Sequence, residues 1–236
     1  MNKKPGENMS KEQRREIVPI DRDPVLKWNQ VSNEKRLYCF FKRIQDIVLS
    51  LLALIILFIP MALLSLVIYI DSPGASAIFR QKRVGLNGKE FMMLKFRTMV
   101  PNAEEKLSEL QSLNEMTSPV FKIRNDPRIT RVGRVIRRIS VDELPQLLNV
   151  LKGDMSIVGP RPALPTEVIL YGCFERQRLF VIPGLTCYWQ VQPRRNDLSF
   201  EEWVDMDVKY IQERSFKTDW RIIFKTVGAV VHGEGE

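Results

Sequence analysis

The feature that most constrains this chain is an apolar run from Ile47 to Ile70, in which only Ser50, Ser65 and Tyr69 carry a polar group. As a helix rising 1.5 Å per residue, a run of that length reaches about 36 Å, enough for a bilayer core of about 30 Å. Pro60 interrupts it, because its ring removes the hydrogen bond to the carbonyl of Ile56 and bends or breaks a helix. The flanks are basic on both sides, Lys42 and Arg43 before and Arg80, Lys82 and Arg83 after, so charge gives no orientation. Two paths fit these facts. A kinked helix crosses the membrane, or the segment enters, turns at Pro60 and leaves by the same face, on arms of roughly 21 and 15 Å that are each too short to cross.

Residues 1–41 are polar and basic, contain Pro5, Pro19 and Pro24, and read as a flexible tail. The apolar run begins too late for a signal peptide, and no small-residue cleavage site follows it. What remains of the 236 residues suits one globular domain of ordinary size. The net charge of +8 favours an anionic partner: nucleic acid, anionic lipid or a phosphate-bearing substrate. Cys39, Cys173 and Cys187 are far apart and odd in number, which speaks against a disulfide framework or a zinc site. With His232 as the only histidine, catalysis through His-based triads or multi-His metal centres is poorly supported. Acid–base or nucleophilic work falls to carboxylates, with Lys and Arg stabilising charge.

Within the globular part, Ala77–Val84 and Lys89–Thr98 flank Leu86-Asn87-Gly88, and Asn-Gly is a strong type I′ hairpin signal. Leu107, Leu110 and Leu113 suggest a short amphipathic helix in 101–118. A helix carrying Leu144, Leu147, Leu148 and Leu151 stops at Gly153, and the short strand Ser156–Val158 runs into Gly159-Pro160-Arg161-Pro162. Ser199 and Glu202 form a capping box for a helix that packs Phe200, Trp203, Val204 and Ile211 on one face. In a last helix, Trp220, Ile223, Phe224, Val227 and Val230 share a face beside Lys217, Arg221 and Lys225, a pattern that suits a membrane interface or, more commonly, core packing.

The densest chemistry lies between Arg124 and Pro162. Asp142-Glu143 is the pair to weigh. The bland reading is capping: Ser140 with Glu143 fits a capping box, or Asp142 is itself the N-cap with Pro145 in the first turn. The functional reading starts from the arginines around the pair, Arg128, Arg131, Arg134, Arg137 and Arg138. A carboxylate among them is ionised at neutral pH without any base, since Asp titrates near 4, and an ionised Asp can attack phosphorus once metal and arginines relieve the repulsion. A basic cluster often marks nucleic-acid binding, but no DNA- or RNA-binding motif is present.

These residues resemble the monotopic phosphoglycosyl transferases, or bacterial sugar transferases. The resemblance rests on Lys42-Arg43-x-x-Asp46, Lys95-Phe96-Arg97-Thr98-Met99, Asp142-Glu143-Leu144-Pro145-Gln146-Leu147, Asn149-Val150-Leu151-Lys152-Gly153-Asp154-Met155-Ser156, Gly159-Pro160-Arg161-Pro162 and Pro183-Gly184-Leu185-Thr186. They occur in family order from about residue 40 to the end. It implies an α+β fold in three parts: the tail 1–41, a re-entrant membrane helix–break–helix over 42–72 broken at Pro60, and a mostly helical catalytic domain over 73–236 with a small β-hairpin and interfacial amphipathic helices.

The same resemblance implies a chemistry. A sugar-1-phosphate passes from a nucleotide sugar, at family level a UDP-hexose or UDP-N-acetylhexosamine, to polyprenyl phosphate, and nucleotide monophosphate leaves. Asp142 is the implied nucleophile and Glu143 its partner, with Mg2+ at that pair. Lys95, Arg97, Arg137, Arg161 and either Arg194 or Arg195 are the implied substrate-side cations. The expected place is the inner membrane of a bacterium, with the domain in the cytosol, in exopolysaccharide or capsule assembly beside downstream glycosyltransferases and without nucleic acid. The chain departs from the pattern at Ile59, where many members have Ser before the proline, and at Cys187, where Gly is usual. Pro193-Arg194-Arg195 replaces a Gly-Arg and carries one extra residue. The compact form of the family is expected. The competing reading is a non-enzymatic adaptor that holds anionic lipid through its arginines and has no need of Asp142-Glu143.

Overall fold

The computed structural model describes residues 22–33, 35–106, 110, 123, 126–193 and 195–232. The expected helix around Leu107 and Leu113, and Arg194, lie outside the described residues. The order is α1 (Trp28–Asn33), α2 (Arg36–Asp71), β1 (Ile78–Val84), β2 (Glu90–Phe96), α3 (Arg131–Arg138), α4 (Gln146–Lys152), β3 (Ser156–Val158), α5 (Pro165–Val168), α6 (Cys173–Arg176), β4 (Gly184–Thr186), α7 (Phe200–Glu213) and α8 (Phe216–Val231). Mixed helix and strand is what the sequence led us to expect.

The long apolar helix α2 is continuous through Pro60, so the helix–break–helix expected there is not confirmed. Its outer face is open, with Ile55, Phe58 and Ile59 each about two-thirds exposed or more, as suits a helix that meets lipid. Its two ends are held by the globular domain. Near the start, Lys42 pairs with Asp219 at 2.8 Å and Tyr38 donates to the same carboxylate at 2.7 Å. Arg43 donates to the carbonyls of Val150 and Leu151, the last turn of α4, where a cation satisfies unpaired helix carbonyls. Asp46 accepts from the Ile157 amide of β3 at 3.1 Å. Near the finish, Ile68 is buried with Phe96 and Ile136.

The reading of 1–41 as a flexible tail needs correction for its second half. Trp28 meets Phe180 edge-on, Val31 sits in the core with Tyr210 and Ile211, and Lys35 donates to the carbonyls of Gln212 and Arg214. Polar composition hid this because the docking groups are few and their partners lie far along the chain.

β1 and β2 form the expected antiparallel hairpin, with Ile78 opposite Phe96 and Val84 opposite Glu90. Asn87 and Gly88 both take positive φ, and the Lys89 amide returns to the Leu86 carbonyl, as a type I′ turn requires. Asn149, fully buried, joins α4 to β2 by accepting from the Leu94 amide and donating to the Met92 carbonyl. α4 ends at Gly153 in the left-handed region, as expected, although Leu148 faces outward. Ser199 and Glu202 cap α7 reciprocally. The Trp220, Phe224, Val227 and Val230 face of α8 is exposed rather than core-packed, which favours the interfacial alternative.

β3 pairs in parallel with β4, and the pairing continues past the strands as Gly159 donates to Thr186 and Gly184 to Pro160. The two backbones approach so closely that a Cβ on Gly184 would lie 2.0 Å from the Gly159 nitrogen. Gly184→Ala should therefore force this pair apart and cost about 1–3 kcal/mol or more. Chemical denaturation in detergent measures it, and a change below about 0.5 kcal/mol would show that the close approach is not required.

Candidate active site

A hairpin, a one-turn element and a proline-framed loop assemble the site. Asp142 and Glu143 sit on a 3-10 turn, Val141–Glu143, between α3 and α4. Neither capping reading holds. Ser140 is in the left-handed region and makes no side-chain cap, and α4 starts at Gln146 with Pro145 as its N-cap. The carboxylates are thus not spent on starting a helix. Asp142 is 7% exposed, while Glu143 accepts from Lys95 Nζ on β2 at 2.7 Å.

Lys95, Arg97, Arg137, Asp142, Glu143, Arg161 and Arg195 all line one cleft of about 1580 Å³. Arg137, in the last turn of α3, donates through Nε to Thr98 Oγ1 at 3.1 Å. Arg161 lies over the Trp189 ring at 5.7 Å, and Trp189 stacks on Trp203 at 4.4 Å. Arg195 donates to the Gln190 carbonyl. Of the two arginines left open by the sequence, Arg195 lines the cleft, and Arg194 lies outside the described residues. The cysteine that departs from the family pattern, Cys187, is buried, and its thiol donates to Gln190 Oε1 at 3.3 Å.

Sequence reasoning missed the groups that hold these cations in place. Arg83 is buried on β1 and donates to the Pro162 carbonyl at 3.0 Å, fixing the loop that presents Arg161. Burial, then the nearby Arg161 charge, pushes the Arg83 pKa down to about 10. Arg178 forms a buried ion pair with Asp207 at 2.8 Å and donates to the Arg161 carbonyl at 3.4 Å. Burial alone would lower the Arg178 pKa, but Tyr171 and Asp207 beside it reverse the shift and keep the guanidinium charged. Nothing in the sequence separates these arginines from solvated ones, since their partners are loop carbonyls or a carboxylate 29 residues away. Within the expected cluster, Arg128 is paired with Asp126 at 2.6 Å, whereas Arg131, Arg134 and Arg138 are exposed.

Among the described residues no three His, Cys, Asp or Glu side chains gather as a metal cage. Two adjacent carboxylates facing a cationic cleft still fit magnesium, which is commonly held by one or two carboxylates with substrate phosphates completing the shell.

Comparison with known proteins adds an independent line. Residues 37–233 match the profile of the bacterial sugar transferase family. The exopolysaccharide production protein ExoY of Rhizobium meliloti is 42% identical over 198 residues, covering 82% of this chain and 87% of that protein. The galactosyl transferase CpsE of Streptococcus agalactiae is 44% identical over 194 residues, 82% of this chain but 43% of its own length. The undecaprenyl-phosphate galactose phosphotransferase of Salmonella typhimurium is 43% identical over 209 residues, 85% of this chain and 42% of its own length. The chain thus spans less than half of the latter two.

Because Asp207 is the charged partner that lets Arg178 stay buried, Asp207→Ala should destabilise the domain by about 3–5 kcal/mol. Equilibrium unfolding measures this, and a loss under about 1 kcal/mol would remove the pair from the support of the Arg161 loop.

Proposed function

The chain belongs to the bacterial sugar transferase family, and we propose that it moves a sugar-1-phosphate from a nucleotide sugar to polyprenyl phosphate, releasing nucleotide monophosphate. The observation that carries the reading is the meeting of Asp142 and Glu143 with Lys95, Arg137, Arg161 and Arg195 in one cleft. The names of relatives support it: they include an undecaprenyl-phosphate galactose phosphotransferase and the undecaprenyl-phosphate glucose phosphotransferase of Komagataeibacter xylinus. A UDP-hexose or UDP-N-acetylhexosamine is the donor class we favour, and exopolysaccharide or capsule assembly the setting.

In the proposed reaction an Asp142 carboxylate oxygen attacks the sugar-bearing phosphorus of the donor. The pyrophosphate P–O bond breaks, and its electron pair leaves with nucleotide monophosphate. An oxygen of the carrier phosphate then attacks the same phosphorus, the aspartyl O–P bond breaks, and the carboxylate is restored on formation of polyprenyl diphosphosugar. Neither displacement needs a proton, so the lack of a nearby histidine is no obstacle. Lys95 orients Glu143 through their ion pair, while Arg161, Arg137 and Arg195 neutralise phosphate oxygens. Asp142 and Glu143 would hold magnesium, which supplies charge neutralisation on the phosphates when bound.

For the membrane we favour a same-side path. Asp46 and Ile68 are 22 residues apart, about 33 Å along a helix, and both contact the same charged domain. A helix crossing the bilayer would carry one of those ends away from it. With the domain in the cytosol, α2 would enter and return by one face, bending at Pro60 where the amide hydrogen is missing.

Asp142→Asn should abolish nucleotide monophosphate release, a loss of at least a thousandfold, because an amide is not a competent nucleophile here. The assay uses purified protein, magnesium, polyprenyl phosphate and a panel of nucleotide sugars. Near wild-type turnover in the folded variant would refute the covalent route.

A further inference from the structure

We infer that Arg97 is a ligand for the phosphate head of the lipid carrier, at an end of the cleft apart from the donor's cations. The inference deepens the transferase reading and rests on it. Arg97 is 6% exposed, yet its Nε and Nη1 have no hydrogen-bond partner among the described residues. Only Nη2 is engaged there, donating to the Ser72 carbonyl. Unmet donors on a buried cation are costly, by about 1–3 kcal/mol and more for charged groups. The side chain lines the cleft shared with Asp142, and a small turn of the guanidinium would bring those covered donors to an anion there.

The hairpin register separates this end from the donor end. The Arg97 amide binds the Ala77 carbonyl at the start of β1, whereas Ala163, two residues past Arg161, is bridged to Val84 at its finish. Seven residue steps of backbone separate these points, about 23 Å at 3.3 Å per residue. Lys95 and Glu143 lie between them, bonded to each other. The Val84 end holds Arg161 over Trp189, an aromatic surface suited to a nucleotide. The Ala77 end adjoins the exit of α2: Ser72 directly follows the helix, and Phe96 packs on Ile68. Just before that exit Leu63, Leu66 and Ile70 are more than half exposed. An anionic head on a long hydrocarbon tail matches both features, with the tail along α2 and the head on Arg97. A nucleotide sugar has no use for the apolar approach. Both ends open on the cleft that holds Asp142, so one nucleophile can receive from the donor and pass to the carrier.

The test measures binding of farnesyl phosphate and of UDP-sugar to the full chain in detergent, with farnesol as a tail-only control and inorganic phosphate as a head-only control. Arg97→Gln should weaken farnesyl phosphate at least tenfold and UDP-sugar less than threefold, while Arg161→Ala shows the reverse order. Farnesol binding should be the same in all three proteins. Wild-type affinity for farnesyl phosphate in Arg97→Gln, or equal loss of both ligands, overturns the assignment. A wild-type protein that binds neither ligand refutes the transferase reading itself. Should Arg97→Gln fail to fold, wild-type protein is photolabelled with farnesyl phosphate bearing a diazirine near the head. Label on peptides spanning 72–80 or 97–103 supports the site, and label confined to 161–195 overturns it.

Discussion

The structure depends on a carboxylate with no exposed surface, Asp219, which the start of the apolar helix and the core of the domain share. Tyr38 and Lys42 reach it from α2, and Tyr210 reaches it from α7 at 2.9 Å. A buried charge is tolerated only when it is fully partnered, and removing one partner of such a group commonly costs about 3–5 kcal/mol. The hydroxyl of Tyr210 also lies 3.1 Å from the Val158 carbonyl, at the end of the strand that leads into the Arg161 loop. The apolar helix and the Arg161 loop are therefore fixed to one point.

Two more polar contacts, from Arg43 and Asp46, continue this docking along α2. They set the depth of the helix relative to α4 and β3, while Ile68 and Phe96 set it at the other end. The cleft inherits its position from this frame. In the proposed function, a domain so held would keep its cationic groove at the level of a membrane surface, within reach of both a lipid phosphate and a soluble nucleotide sugar.

Much of this was legible in the sequence where the determinants are local. Asn87-Gly88 gave the hairpin, Ser199 with Glu202 gave the start of α7, and Gly153 gave the stop of α4, because each acts within about four residues. Motif resemblance brought the site residues together ahead of any geometry. What stayed hidden depends on long-range pairing. Asp219 and Asp207 are each buried against a cation far along the chain, a pairing that no local pattern shows. Tyr38 lay in what reads as a tail. Local rules also misled at Ser140 and Asp142, where a capping pattern is present but the backbone turns left-handed and the carboxylate goes to the cleft. At Pro60 the proline rule marks a weak point, and the helix nevertheless continues through it.

The claim on which the account turns is that both ends of α2 lie on the side of the cleft. Single-cysteine proteins carrying Ser10→Cys or Glu201→Cys, made after replacing Cys39, Cys173 and Cys187, can be probed in spheroplasts with a membrane-impermeant maleimide. The account predicts that neither site reacts until the inner membrane is opened, and that both react then. Labelling of Ser10→Cys in intact spheroplasts while Glu201→Cys stays protected would mean that α2 crosses the bilayer, and would contradict it.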